Sequence, residues 1–193
     1  MLVVFKGIKN ENIVVFDAEY NEGDLIQFSG ILFRRIEKEI YQISKSLNIY
    51  VKLENGEYIN YFIRDFTGIT DIFLEENGIT LDDAKEKIQE FLCCKGDILF
   101  VSHGLYNDRQ TLLNNGIDFY NVNGNETFGF CTYNHSKIYL ERNTKLRLAD
   151  VAADAGIFLA NKHNAFDDTW ATVAIFSLLC KLKEGKENER KVL

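Results

Sequence analysis

The order of strand-like and helix-like stretches limits this 193-residue chain to few architectures. Residues 2–5 and 13–19 are apolar runs of strand length, and LIQFSGILFRRI at 25–36 is a longer one after the turn signal Asn21-Glu22-Gly23-Asp24. Another lies within 39–53, rich in Ile and Tyr, and closes at the turn 54–57, Glu-Asn-Gly-Glu. Such runs between turn residues predict an antiparallel meander. The rhythm then changes. LDDAKEKIQEFLCC, 81–94, carries apolar residues at Leu81, Ala84, Ile88, Phe91 and Leu92, which is helical spacing. Thr80 suits its N-cap, with Asp83 three residues on. Residues 98–102, ILFVS, predict a short buried strand, and 128–133 another. Further helices are predicted over 108–116, with Gly116 as C-cap, over 145–157 and over 166–182. Strands first, then helix alternating with strand, predict an α/β domain: a mixed sheet covered by helices. That domain is expected over 1–183, with 184–193 as a short polar, frayed tail.

Composition agrees with a globular domain that has its own core: 46% hydrophobic and 26% charged residues. No apolar run approaches a membrane span. The first residues lack a charged leader, apolar stretch and cleavage site, so a cytoplasmic protein is expected. Cys93, Cys94, Cys131 and Cys180 form no CxxC pair and are read as reduced thiols. The net charge of −7 argues against a general polyanion-binding surface. It leaves room for nucleic acid held in one local groove. The chain has no proline, where average usage gives roughly ten. Its turns therefore rest on Gly, Asn and Asp.

Chemistry first shows in FDAEY, Phe16–Tyr20, which follows the apolar Ile13–Val15. Residues i and i+2 of a strand share a face, so the Asp17 and Glu19 carboxylates project together. Like charges that close repel, and one tends to stay protonated. A hard divalent cation such as Mg²⁺ or Mn²⁺ removes the conflict. A strand end that has reached solvent also explains such a pair when it stands alone.

Two further segments bear on the choice. SHGLYND places Asp108 five residues after His103, at a strand-to-helix junction. HNAFDD places Asp168 five residues after His163, at the start of the last helix. Two of the three histidines thus precede an aspartate by the same spacing; His135, without such a partner, is read as a surface residue. In this order the segments resemble the three motifs of the DEDDh 3′–5′ exonucleases, the family of the DNA polymerase III proofreading subunit, RNase T and oligoribonuclease. Between the first two lies Thr67-Gly68-Ile69-Thr70, similar to the family's TGIT segment, with a helix after it. KLRLADVAADAGI resembles the helix before the third motif. The resemblance runs from about residue 12 to about 182.

The resemblance implies an RNase H-like fold, a five-stranded mixed sheet flanked by helices. It implies two divalent ions, Mg²⁺ or Mn²⁺. Asp17, Glu19 and Asp168 would hold one; Asp17 would bridge to the second, and Asp108 would help to bind that one. Two ions about 4 Å apart suit in-line phosphoryl displacement. His163 would be the general base, since an imidazole titrates near neutrality. Asp167 competes with Asp168 as ligand; the spacing from His163 favours Asp168. Ala18, Tyr20 and His103 would contact substrate, His103 through phosphate or by supporting the ligands. Trp170 is read as core. The first motif has Tyr20 where the family places Thr or Ser; the second has Gly104 and Asn107 where the family places Asn and Phe. Tyr20 is therefore expected to stack on, or wedge against, the 3′-terminal base.

The implied activity is hydrolysis of single-stranded DNA or RNA from 3′ ends, releasing nucleoside 5′-monophosphates. Phosphate contacts are expected from Arg109 and Lys162, or from Lys137, Arg142, Lys145 and Arg147. The competing readings are an inactive binding module and a proofreading subunit within a polymerase. Four acids and His163 speak for activity, because a lost activity removes the reason to keep like charges together. A homodimer is compatible with the family.

Overall fold

The computed structural model describes residues 1–53, 57–122, 124–140, 144, 146–159 and 163–192. Its sheet begins with β1 (Leu2–Val4), β2 (Asn12–Asn21), β3 (Asp24–Glu37) and β4 (Ile40–Tyr50). β2, β3 and β4 form the expected antiparallel meander. Glu22 and Gly23 both take positive φ in the β2–β3 turn, at 54° and 114°. Glycine meets that demand at little cost, and the paired positive values suit the right-handed twist of a hairpin.

Three helices follow: α1 (Tyr61–Thr67), α2 (Asp71–Asn77) and α3 (Leu81–Leu92). The Thr80 hydroxyl accepts the Asp83 amide at 3.1 Å and caps α3 as the sequence predicts. Strand β5 (Ile98–Ser102) leads into α4 (Leu105–Asn114). A small hairpin, β6 (Asn121–Val122) and β7 (Asn125–Glu126), precedes β8 (Phe128–Cys131). The chain ends in α5 (Thr132–Tyr139), α6 (Leu148–Asp154) and α7 (Ala165–Val192).

The main sheet has six strands in the order β1-β4-β3-β2-β5-β8, one more than the five the resemblance implies. The addition is β1, which lies antiparallel on the outer edge of β4, with Leu2 opposite Gln42 and Val4 opposite Ile40. β2 and β5 pair in parallel, as do β5 and β8, so the sheet is mixed. The expected strand over 128–133 stops at Cys131, where α5 begins. The last helix does not stop near residue 182. It continues through Val192, so the segment expected to fray is helical. The turn residues at 54–56 lie outside the described residues.

Each face of the sheet has its own core. Alternation along β2 sends Val14, Phe16 and Ala18 to one side, where they meet Ile88 and Phe91 of α3 and Leu112 of α4. It sends Ile13 and Val15 to the other, against Val151 of α6 and Phe176 and Leu179 of α7. Trp170 packs on this second core, as expected. Asp17 and Glu19 therefore fall on the α7 side of the sheet. No disulfide joins the four cysteines. Among the described residues, no helix is long and apolar enough to cross a membrane.

Candidate active site

The site lies where two parallel strands separate. β2 and β5 stay paired only as far as Val15 opposite Val101. Beyond that point β2 continues through Asp17 and Glu19, while β5 turns at Ser102 into α4. A crevice opens at the carboxyl ends of the strands, where open α/β sheets bind ligands. A bulge at Ile26, between the pairs Glu19–Gln27 and Tyr20–Leu25, lies beside the second carboxylate.

The third acid arrives on α7. Asn164 starts this helix: its side chain accepts the Phe166 amide at 3.1 Å, and its carbonyl accepts the Asp168 amide at 2.9 Å. The helix is pinned to β3. Gln27 accepts the Ala165 amide at 3.2 Å, and the Thr169 hydroxyl donates to the Ser29 carbonyl at 3.3 Å. Ligand oxygens of Asp17, Glu19 and Asp168 consequently lie within 4.8 Å of one another. Asp168, not Asp167, belongs to this group. Asp108 sits in the first turn of α4, with one carboxylate oxygen accepting the Ser102 hydroxyl. It stands outside the tight trio but adds to the charge that Asp17 feels.

Burial pushes the Asp17 carboxyl well above its ordinary range, and repulsion from Asp108, Glu19 and Asp168 pushes it further. Burial, then Asp168 and Asp108, raise Glu19 to about 8. Burial raises Asp168 to about 6, against the pull of the His163 amide. Asp108 is also raised by burial, while hydrogen bonds from Ser102 and Gly104 pull it down. Among the described residues, no lysine or arginine pairs with any of the four. Oδ1 of Asp168 is buried without a hydrogen-bond partner. Closely placed carboxylates, none neutralised, with one oxygen left orphaned in the interior, fit a hard divalent cation.

His163 stands at the rim, before α7. Its backbone is left-handed, φ 60°, and its amide donates to Oδ2 of Asp168 at 3.2 Å. Its ring stacks on Phe66 of α1. Asp17, Phe66, His103, Arg147, His163 and Asp168 all line one cleft of about 480 Å³.

The TGIT segment shapes this rim. Gly68 ends α1 in the left-handed conformation at φ 74°, which glycine adopts readily, and its amide returns to the Arg64 carbonyl. Thr70 caps α2 by accepting the Phe73 amide at 3.1 Å. Between them Ile69 is buried with Ile26, Ile59 and Leu74.

The remaining expectations fare differently. Tyr20 does not face the cleft. It lies on the opposite side of β2 from the acids, packs on the first core and donates its hydroxyl to the Asp108 carbonyl at 3.3 Å. Burial pushes its phenol upward. A ring so placed is a strut between β2 and α4, not a stacking platform. The Ala18 methyl is buried in the same core and does not point at substrate. His103 lines the cleft, but both ring nitrogens are taken: Nδ1 lies 2.9 Å from Thr132 Oγ1 and Nε2 2.6 Å from the Leu146 carbonyl. A carbonyl only accepts, so Nε2 carries a proton, and neither nitrogen is left for a phosphate. Burial lowers the His103 pKa.

Arg109 is buried too. Its guanidinium lies between Phe100 and Tyr120, 5.3 and 5.1 Å from their centroids, and donates to Thr127 and to the Phe128 carbonyl. It ties β8 to α4 and does not meet phosphate. His135 stacks on Phe130 at 3.7 Å and is half-buried rather than a surface residue. Lys137 is exposed over the Tyr133 ring. Arg142, Lys145 and Lys162 lie outside the described residues. Arg147 alone of the expected cations is placed in the cleft, among the described residues.

Sequence reasoning missed Phe66 and Ser102. Phe66 stands directly before the segment Thr67–Thr70, and Ser102 is the first residue of SHGLYND, next to His103.

The model of the family described as "Exonuclease" (RNase T) matches residues 14–176. This chain belongs to the exonuclease family. The family expected from the three motifs is thereby borne out. No curated protein sequence matches the chain. Solved structures share the fold. E. coli Exonuclease I in complex with a dT13 oligonucleotide aligns at TM-score 0.73 and 18% identity, over 93% of this chain and 43% of that one. A 3′-exonuclease described for 3′-end specific recognition of histone mRNA stem-loop aligns at 0.69 and 14%, over 90% and 83%. The nuclease domain of 3′hExo, described as a DEDDh family member and bound to rAMP, aligns at 0.68 and 15%, over 89% and 92%. The RNase H-like α/β fold is borne out by these likenesses. The chain spans less than half the length of E. coli Exonuclease I.

Proposed function

We propose that this exonuclease-family chain is a metal-dependent 3′–5′ exonuclease, hydrolysing phosphodiester bonds at single-stranded 3′ ends and releasing nucleoside 5′-monophosphates. The observation that carries the reading is the trio Asp17, Glu19 and Asp168, within 4.8 Å and without a neutralising cation among the described residues. Asp17, Glu19 and Asp168 would hold one divalent ion, and Asp17 with Asp108 would hold a second. Bound there, such ions supply Lewis-acid activation of water and charge neutralisation at the leaving oxygen. His163 takes a proton from a water whose oxygen bonds to phosphorus as the P–O3′ bond breaks. Arg147 contacts a phosphate of the strand in the cleft. The bound species in two neighbours, dT13 and rAMP, are a single strand and a nucleoside monophosphate, which support this substrate and product class.

The test uses 5′-labelled single-stranded DNA and RNA with Mg²⁺, Mn²⁺ or EDTA, for the wild type, Asp17→Ala and His163→Ala. A ladder shrinking from the 3′ end, lost in EDTA and in both variants, is expected. Absence of cleavage in the wild type on both polymers, or cleavage that persists in both variants, overturns the proposal.

A further inference from the structure

The His163 imidazole lies flat on the Phe66 ring, with centroids 3.4 Å apart and planes 25° from parallel. Core packing does not explain this phenylalanine. It is 54% exposed and belongs to none of the three apolar clusters. Its helix, α1, buries no residue at all.

That helix is nonetheless fixed relative to the acids. Its cap residue Asn60 donates its amide to the Asn21 side chain at 2.7 Å and its side-chain nitrogen to Glu22 at 2.8 Å. The Asn21 side chain returns a bond to the Tyr58 carbonyl at 3.3 Å. Asn21 is the last residue of β2, the strand that carries Asp17 and Glu19. Phe66 is thus held in the same frame as the carboxylates. The bond from the His163 amide to Asp168 fixes the main chain of His163. The ring stack acts on the side chain itself.

We infer that Phe66 is a positioning residue for His163, holding the imidazole at the mouth of the carboxylate cluster before substrate arrives. The inference rests on the proposed role of His163 as general base. Without an aromatic ring at 66 that restraint on the imidazole is lost, and a smaller fraction of the molecules is competent at any moment. The loss then falls on kcat, because Phe66 acts through His163 and not on the strand.

The experiment compares the wild type, Phe66→Leu and Phe66→Tyr. Single-strand hydrolysis is followed together with the His163 ring-proton NMR signals of the metal-free, substrate-free protein. These signals are assigned by their loss in His163→Gln. Phe66→Leu is expected to lower kcat about tenfold with KM within about twofold. It is also expected to move the His163 ring protons downfield, out of the ring current. Phe66→Tyr is expected to keep both kcat and the shifts near wild type. The inference is overturned by Phe66→Leu raising KM at unchanged kcat, which marks a direct substrate contact; by His163 signals unmoved in Phe66→Leu; or by Phe66→Tyr as impaired as Phe66→Leu. A wild type without hydrolysis overturns the proposed function, and this inference with it. An active wild type matched by Phe66→Leu overturns the inference alone.

Discussion

The backbone N–H of His163 donates to Oδ2 of Asp168 at 3.2 Å, so the proposed base and a proposed metal ligand are tied by one hydrogen bond. The five-residue spacing makes this possible: the segment before α7 curls back onto the first turn of the helix. With Oδ2 engaged there, Oδ1 is the buried oxygen without a partner. Asp168→Asn keeps an acceptor for the His163 amide and removes the charge. Its expected effect is opposite on activity and on stability. Hydrolysis falls by about 100-fold or more, as for removal of a group that acts in the transition state. The metal-free protein gains on the order of 1 kcal/mol, because relief of the burial and repulsion that raise Asp168 to about 6 is partly offset by a buried amide N–H₂. Cleavage rates, with thermal melts in EDTA, check the pair of effects.

Stability of the metal-free protein is expected to fall as pH rises. Glu19 goes from an ordinary value of 4.5 to about 8 on folding, so between these values the folded state binds more protons than the unfolded one. The stabilising effect of its protonation is present below about 4.5 and lost as pH rises through about 8. The realised loss is on the order of a few kcal/mol, since part of the shift relaxes in a site open to solvent. Melts in EDTA from pH 5 to pH 8 should show a steeper decline for the wild type than for Glu19→Gln. Mn²⁺ added at pH 8 should restore the wild type, by about 2.7 kcal/mol at 100-fold excess over its dissociation constant, and leave Glu19→Gln much less affected.

Tyr20→Phe separates the observed placement of this residue from the expected one. The hydroxyl donates to the Asp108 carbonyl at 3.3 Å, and the ring packs on the core that includes Phe16 and Phe28. Losing the hydroxyl should cost about 1 kcal/mol in a urea melt. Affinity for a single-stranded 3′ end should stay within about twofold, as the ring faces away from the cleft. A stacked terminal base would instead make ring removal by Tyr20→Ala costly in binding well beyond its effect on folding.

The reading of Tyr20 illustrates what the sequence could carry. Strand alternation placed Asp17 and Glu19 on one face, and the same alternation puts Tyr20 on the other; the family position suggested substrate, but the period of two decided the outcome. The six strand-length runs were visible in the chain, while the resemblance implied five strands. The three residues of β1 complete the sheet by edge pairing with β4. Helices α1 and α5 were not legible, and α2 only through the resemblance, as the helix after Thr67–Thr70. α1 buries nothing and α2 only Leu74, so neither carries an apolar stripe. α5 begins at Thr132-Tyr133, both strand formers, which made it read as the end of β8. Arg109 was taken for a phosphate contact because it adjoins Asp108, but in the first turns of α4 adjacent residues point apart: Asp108 toward Ser102 and Arg109 toward Phe100 and Tyr120.

Arg109→Lys is therefore expected to harm the fold rather than binding. The guanidinium donates to the Thr127 hydroxyl at 2.9 Å and to the Phe128 carbonyl at 2.8 Å, and lies between two rings. Lysine keeps the charge, but its ammonium cannot reproduce the planar fork or the stacking. Its Nε is already buried without a partner, so the site has no spare hydrogen bonding to offer. A loss of about 2–3 kcal/mol in urea unfolding is expected. The salt dependence of oligonucleotide binding should match the wild type.

Arg147 should behave in the opposite way. It lines the cleft with Asp17, His163 and Asp168, and its side chain is 84% exposed. Asp150, one turn on in α6, pairs with it at 2.9 Å and raises its pKa, first through the hydrogen bond and then through charge. The guanidinium therefore stays charged and is aimed from the start of α6 rather than left to sweep through solvent. Removing it by Arg147→Ala takes a cation from the cleft without opening the core. KM for a single strand is expected to rise by about three- to tenfold while kcat stays within about twofold, the pattern of a contact made equally in ground and transition states. The proposed contact with one phosphate should also appear in salt titrations: the slope of log K against log salt becomes shallower by about 0.7, the value for one lost phosphate contact on a single strand. An unchanged slope would mean that Arg147 serves only Asp150.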